Sequence, residues 1–580
     1  MNADKTVTNL SRAIALVLGC GLIVNPAYSQ PAGPGAPDES RSGGTVTKPG
    51  DIRPELPEPG EAKEAPIEVE TKVTVPEKKA APYGAKIFVK QINISGNSVF
   101  SSEELKAITA PYENRIVYNS ELEDVRIALT RKYIDQGFIN SGAVMPDQKV
   151  SDGVVQMIIV EGRLTDIEII GNEHLDSDYV QDRLRLGAGT PLNVNNLQEQ
   201  IQLILESPVI ETINSALRPG DRPGEASLTS VVNEAPRLNV APVIDNRLSP
   251  TLGDARLLLP INVNDITGHG DTLGMSLGVS EGLTDGSINW SIPFNVHDTT
   301  LSIFANYADA EVVNGSFKPL DIINQSQTLG FRISHPFHRT SRTKFSMSLG
   351  MDARQSESEL LGVPFPFTSG VPADGKVQVT VIRFSQDWSQ RGLDQVIAAR
   401  SQFSMGIDGN DATINAGPVP SGEFTAWLGQ FQWAKLLGDD WGQIIFRTNV
   451  QVTTDPLFAM EQYSVGGSLS VRGYLENQLV SDNGYDVSLE YRYPLIKDAS
   501  GRSVLTLAPF ADAGGSHNNE LAGPAKDFIS SVGVGLRWDP TTKIHAQIYW
   551  GRANQKFIND GESLQDDGIH FLISGNLIEW

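Results

Sequence analysis

Two hydrophobic periodicities divide this chain. From about Asn239 onward, apolar and polar residues alternate with a period of two. Leu273, Met275, Leu277 and Val279 alternate with Gly274, Ser276, Gly278 and Ser280. Phe345, Met347, Leu349 and Met351 alternate with Ser346, Ser348, Gly350 and Asp352, and Val487, Leu489, Tyr491 and Tyr493 with Ser488, Glu490 and Arg492. Such alternation places one set of side chains on each face of a strand. The polar set is Ser, Gly, Gln and single charges rather than the Lys/Glu-rich face of a soluble sandwich. The chain also ends on an apolar, aromatic segment running from Ile569 to Trp580. In lipid every backbone group must be paired, so strands of this kind close into a membrane β-barrel with the greasy face outward and a wet lumen. The length after residue 238 accommodates about sixteen antiparallel strands at roughly 20 residues per strand and connection.

Before Asn239 the pattern is that of two similar α+β units. Val89–Asn97 and Leu164–Asn172 are each a short alternating strand ended by Gly-Asn, with an offset of 75 positions from Gly96 to Gly171. In the first unit Ser101-Ser102-Glu103-Glu104 predicts a capped helix start. Leu122, Val125, Leu129 and Tyr133 then mark one face of a longer helix, and Val154–Val160 a buried closing strand. In the second, Leu197, Ile201, Ile204 and Leu205 mark the helix face and Leu228–Val232 the closing strand. Each unit reads β-α-α-β-β.

Residues 1–29 read as a signal peptide: Lys5 and Arg12 precede an apolar core from Ala13 to Val24, and Ala27-Tyr28-Ser29 suits cleavage before Gln30. The single cysteine, Cys20, falls inside it, so the mature chain is expected to hold no disulfide. Residues 30–83 contain Pro31, Pro34, Pro37, Pro54, Pro57 and Pro59 and read as an extended tether, too rich in proline for an amphipathic helix; the family resemblance given below places it in the periplasm. The net charge of −24 argues against nucleic acid as a partner. No nucleotide fingerprint is present, and no cofactor is expected.

Two motifs invite catalytic or metal readings. Gly278-Val279-Ser280-Glu281-Gly282 matches a nucleophile elbow, but it ends an alternating strand and precedes a turn rather than a helix. His335 and His338 have no carboxylate or cysteine at ligand spacing and are expected at a strand end. The expectation is no enzyme, no catalytic residue and no metal.

The tandem units at 84–162 and 163–237 resemble POTRA domains, the polypeptide-transport-associated modules found before outer-membrane barrels. Gly466-Gly467, with Val471-Arg472-Gly473-Tyr474, resembles the inward-folded loop and VRGY tip of the Omp85 superfamily. Phe510-Ala511-Asp512-Ala513-Gly514 resembles the F-x-D-x-G strand that faces this tip. Asn264–Asp271 resembles the turn after the first barrel strand, and Glu490–Leu495 the strand between loop and F-x-D-x-G. The two-module count makes the chain similar to the TpsB transporters of two-partner secretion (ShlB/FhaC/HecB-like).

The resemblance implies an outer-membrane barrel at 238–580 with periplasmic POTRA domains. It implies export of a large secreted TpsA-like passenger, whose secretion domain the POTRA domains capture, and an outer-membrane lipid environment. It implies that Gly467, Val471, Arg472, Gly473, Tyr474, Phe510, Asp512 and Gly514 form the loop tip and its lumen anchor. An arginine in a partly dry lumen needs an anion, which Asp512 can supply, and Phe510 and Tyr474 are expected to pack near the pair. The alternative is an Omp85-type assembly and insertion factor, which usually carries more POTRA units.

Overall fold

A computed structural model describes residues 53, 54, 56, 59, 67–69 and 83–580, except 151, 439–440, 520–526, 558–562 and 577. The expected signal peptide and Cys20 lie outside the described residues. The chain divides into two units: residues 62–235 with 267–270, and the remainder.

The N-terminal unit contains both repeats. The first runs β2 (Lys86–Val89), β3 (Gln91–Ser95), α1 (Ser102–Thr109), β4 (Arg115–Tyr118), α2 (Asn119–Asp135), β5 (Gly142–Val144) and β6 (Val154–Val160). The second runs β7 (Arg163–Ile170), α3 (Ser177–Ala188), α4 (Val194–Ile204), β8 (Ile210–Pro219) and β9 (Glu225–Glu234). A short strand that precedes both, β1 (Ile67–Val69), joins the second sheet, whose order is β1-β8-β9-β7.

Leu122, Val125, Leu129 and Tyr133 form the buried stripe of α2, as do Leu197, Ile201 and Ile204 for α4. These residues build the two cores. Ser101 and Glu104 form the reciprocal cap of α1. The local pattern missed β4: the extended stretch between the helices pairs with β2, which separates at Lys90 from β3.

The repeats share one device beyond the Gly-Asn turn. Glu161, just past β6, accepts N–H bonds from Ser98 (2.7 Å) and Val99 (3.2 Å). Glu234, at the end of β9, accepts them from Glu173 (2.7 Å), His174 (2.9 Å) and Leu175 (2.9 Å). In each repeat a carboxylate at the end of the last strand satisfies the free amides that follow β3 or β7. Burial raises the pKa of both groups, but the donors outweigh it and hold each below the ordinary glutamate value.

A group with a depressed folded pKa contributes stability that is complete above its unfolded value, about 4.3, and is lost as the pH falls through the lower folded value. Amide-exchange protection at 98–99 and 173–175 in the full chain is therefore expected to hold from neutral pH to about 5 and to fall below about 4. Glu234→Gln should weaken protection at 173–175 by about 1–3 kcal/mol at neutral pH. Unchanged protection at 173–175 would remove the role given to the carboxylate.

Among the described residues of the second unit, sixteen antiparallel strands form a closed barrel. It closes where Val243–Asp245 pairs with Leu572–Ser574, and Leu238 exchanges backbone hydrogen bonds with Trp580. Its inside-out chemistry separates it from a soluble sandwich. Leu277 is 61% exposed on the outer wall, as are Ile288, Leu329, Leu349, Val532 and Trp550 to lesser or similar degrees. Ser276, Thr328, Asp352, Arg383, Gln430 and Asn449 are buried inside. No described helix is long and apolar enough to span a bilayer; the strands do it.

The turn at 265–271 follows Arg256–Asn264, the second barrel strand rather than the first. It is closed by the Asp265 N–H on the Asp271 carbonyl, 2.7 Å. Val279 ends one strand and Leu283 starts the next, so the Gly278–Gly282 motif is a reverse turn. Ser280 donates its hydroxyl to the Leu252 carbonyl at 2.6 Å. His335 stands beside a bulge at Pro336 and pairs with the Thr299 hydroxyl at 2.7 Å, and no metal-ligand cluster exists among the described residues.

Candidate functional site: the arginine loop in the lumen

Between the strands Gln443–Thr453 and Asn483–Lys497 the chain turns inward. Tyr463–Val465 and Leu479–Ser481 pair as a small hairpin, and Gly466 to Tyr474 forms its tip. The tip is built on glycines with positive φ: 114° at Gly466, 98° at Gly467 and 89° at Gly473. Two of them also permit close approach. A Cβ on Gly473 would lie 2.7 Å from the Gly551 carbonyl oxygen. One on Gly467 would meet the Glu476 carboxylate, which accepts from the Ser468 N–H and hydroxyl at 2.7 Å each.

Arg472 is 6% exposed and Asp512 3%. The guanidinium grips Asp512 with two parallel bonds, Nε to Oδ2 at 2.8 Å and Nη2 to Oδ1 at 2.9 Å, and the Arg472 backbone N–H adds a third at 3.1 Å. Nη1 pairs with Glu490, which is 1% exposed, and Nη2 reaches the Ser488 hydroxyl at 3.1 Å. The cation lies 3.7 Å from the Phe510 ring centroid and 4.9 Å from that of Tyr549. Glu490 also receives Arg492 Nε at 2.6 Å and the Tyr549 hydroxyl at 3.3 Å. A charge so enclosed is held by geometry and full pairing rather than by hydration.

The structure brings the sequence-predicted set together at this tip, in two groups, one around the guanidinium and one around Val471. Val471 packs toward Gly514, where any Cβ would sit 2.5 Å from Val465 and 3.2 Å from Val471. Phe510 lies under the arginine and edge-to-face with Tyr549, 5.9 Å between centroids. Tyr474 packs in the buried cluster of Val465 and Val471 rather than against Phe510. Its ring meets Phe557 at 6.0 Å, and its hydroxyl donates toward the Ser530 carbonyl (2.9 Å) and Gln555 Oε1 (2.7 Å).

Sequence reasoning missed Glu490, Ser488, Tyr549, Gly551 and His570 as parts of the site. His570 Nε2 accepts the Gly473 N–H at 3.2 Å. It also missed an anchor near the loop's base: Glu461 receives Arg354 Nη1 at 2.6 Å and Arg383 Nη2 at 2.8 Å.

The proline-rich segment departs from a free tether. Arg53 donates to the Leu469 carbonyl at the loop tip, and Gln432 Nε2 donates to the Pro54 carbonyl at 2.7 Å. Leu56 packs on Val396, Ala434 and Ile445, all lumen-facing. Ile67–Val69 is strand β1 of the other unit. Part of 30–83 is thus docked at two places, because its scattered apolar and carbonyl groups find partners without helix.

A closed barrel with an ion-locked loop folded into its lumen, behind two small α+β modules, is the architecture of an outer-membrane transporter of the Omp85 superfamily. The profile of the haemolysin secretion/activation proteins ShlB/FhaC/HecB matches residues 224–538, and that of the ShlB-type POTRA domain matches 87–162. The chain belongs to the ShlB/FhaC/HecB family. It is 24% identical over 463 residues to the heme/hemopexin transporter protein HuxB of Haemophilus influenzae, covering 77% of this chain and 80% of that protein. It is 23% identical over 430 residues to the outer membrane transporter CdiB of Escherichia coli, covering 70% and 69%. The solved CdiB structure from Escherichia coli superposes with a TM-score of 0.64 at 21% identity, over 87% of this chain and 93% of that one. BamA from Haemophilus ducreyi lacking POTRA domains 1–3 gives 0.53 at 14% identity, over 84% of this chain and 100% of that one.

Proposed function

We propose that this chain exports a large TpsA-type partner protein across the outer membrane. Residues 84–162 and 163–237 act as periplasmic POTRA domains that capture the unfolded secretion domain of the passenger, and the barrel at 238–580 is the pore. The observation that carries this reading is the loop locked by Arg472 into a polar lumen. A plain porin has no use for so many buried charges on one loop, each of which must be desolvated and matched. The residues around Arg472 hold the loop in the conformation that transport uses, and Gly467, Gly473 and Gly514 let it seat.

The test compares deletion mutant and parent by mass spectrometry of the medium and the outer membrane. One or two large proteins should vanish from the medium while other barrel proteins stay constant. A joint fall of many barrel proteins would favour the assembly-factor reading instead.

A further inference from the structure

Arg447, on the strand Gln443–Thr453, faces the lumen and is 9% exposed. Its Nε is buried without an acceptor, and its guanidinium makes no hydrogen bond with any described residue. A buried cation left without an anion is costly, and native folds supply such groups with a partner.

The surroundings add to that cost. Arg447 lines a polar cavity of about 20 Å³ against the loop tip, together with Arg53, Arg492, Ser470, Ser488 and Gln547. Its charged neighbours are Glu490 and the cations Arg492, Arg53 and Arg472. The acids here are already engaged. Asp512 is gripped by Arg472, and Asp486 takes the Asn449 amide and the Tyr463 hydroxyl. Glu490 takes Arg472, Arg492 and the Tyr549 hydroxyl. Arg247, which also lines the cavity, lies near Asp245 and Glu476. With Arg472 set against Asp512, the guanidiniums of Arg53, Arg447 and Arg492 face a single lining carboxylate, that of Glu490.

We propose that this cavity binds one chloride ion, held by Arg447 with Arg492 and Arg53 around it. The volume admits one particle about the size of a water molecule. A water would satisfy the N–H groups and leave the charge, while phosphate, sulfate and carboxylates are too large. A halide brings the charge in that volume. Ser470 and Ser488 accept bonds through their oxygens, from the Gly466 N–H at 2.8 Å and Arg472 Nη2 at 3.1 Å, which leaves each hydroxyl proton available to the anion. The ion completes the seat of the loop. Without it Arg447 and Arg492 compete with Arg472 for Glu490; with it Arg472 keeps both of its carboxylates. The site does not depend on the export reading.

The experiment uses the full chain in detergent micelles, exchanged into sodium gluconate and titrated with sodium chloride at constant ionic strength. The chlorine NMR line width should carry a saturable excess, and thermal unfolding should move up by about 2 °C or more at saturation. Arg447→Gln should weaken chloride binding by about tenfold or more. Crystals grown in bromide should show an anomalous peak at hydrogen-bond distance from Arg447.

A parent chain indifferent to chloride overturns the proposal, whether or not the variant folds. So does an excess line width that survives Arg447→Gln unchanged. Acetate competing as well as bromide would also overturn it, and would assign the site to a carboxylate.

Discussion

Arg472→Ala is expected to abolish passenger secretion while leaving a folded, inserted barrel. The side chain is the common partner of Asp512, Glu490 and Ser488, and it lies on Phe510. Its removal strands Asp512, which faces no other cation at bonding distance in the described structure, and leaves Glu490 with Arg492 and the Tyr549 hydroxyl. Breaking a buried pair from one side costs about 3–5 kcal/mol, because an uncompensated charge remains. That cost falls on the seated loop. The barrel wall keeps its hydrogen-bond ladder, so the protein should reach the outer membrane in normal amounts. Secretion in a passenger-producing strain, with heat-modifiable mobility as the folding control, reads both effects. Normal secretion by Arg472→Ala would remove the loop from the account. Arg472→Lys should rescue little, since a lysine cannot make the two parallel bonds to Asp512 and one to Glu490 at once.

Gly473→Ala should be nearly as damaging although it changes no charge. The residue has a φ of 89°, and its Cβ would sit 2.7 Å from the carbonyl oxygen of Gly551 on a barrel strand. Backbone on both sides leaves no side chain to give way. The left-handed conformation alone costs a non-glycine residue about 1–2 kcal/mol, and the collision adds to it. The tip must lift, and Arg472 is the neighbouring residue. Secretion should fall at least about tenfold at constant barrel level, a factor equivalent to about 1.4 kcal/mol. Retained secretion would mean that the seated loop is not the transporting conformation. Together the two substitutions separate charge from shape as causes of the same loss.

The barrel was legible because its chemistry is written residue by residue. Period-two alternation survives without any knowledge of which strands pair, and Leu277 outside with Ser276 inside follows from it directly. The helix stripes of the N-terminal repeats were legible for the same reason. What stayed hidden depends on register. Ser488 and Glu490 were visibly on the polar face of their strand, but only the pairing of Ser488 with Asp512 puts that face against the arginine. Tyr549, Gly551 and His570 arrive from strands some eighty to one hundred positions after the loop, with no local signal. Tyr474 packs with Val465 and Val471 rather than beside Phe510, a choice the motif alone does not reveal because it depends on the positive φ at Gly473. The segment 30–83 was read from its prolines, which exclude regular helix but say nothing against docking in extended form. Pro54 docks through its carbonyl, which proline keeps.

The most direct measurement places the purified chain in liposomes and supplies an unfolded passenger, identified from the medium of the deletion comparison, on the POTRA side. Appearance of the passenger across the bilayer, scored by protease accessibility, should require no other protein and should be lost with Arg472→Ala. No passage by the parent chain, with efficient insertion of an added outer-membrane barrel protein instead, would contradict export and establish an assembly factor.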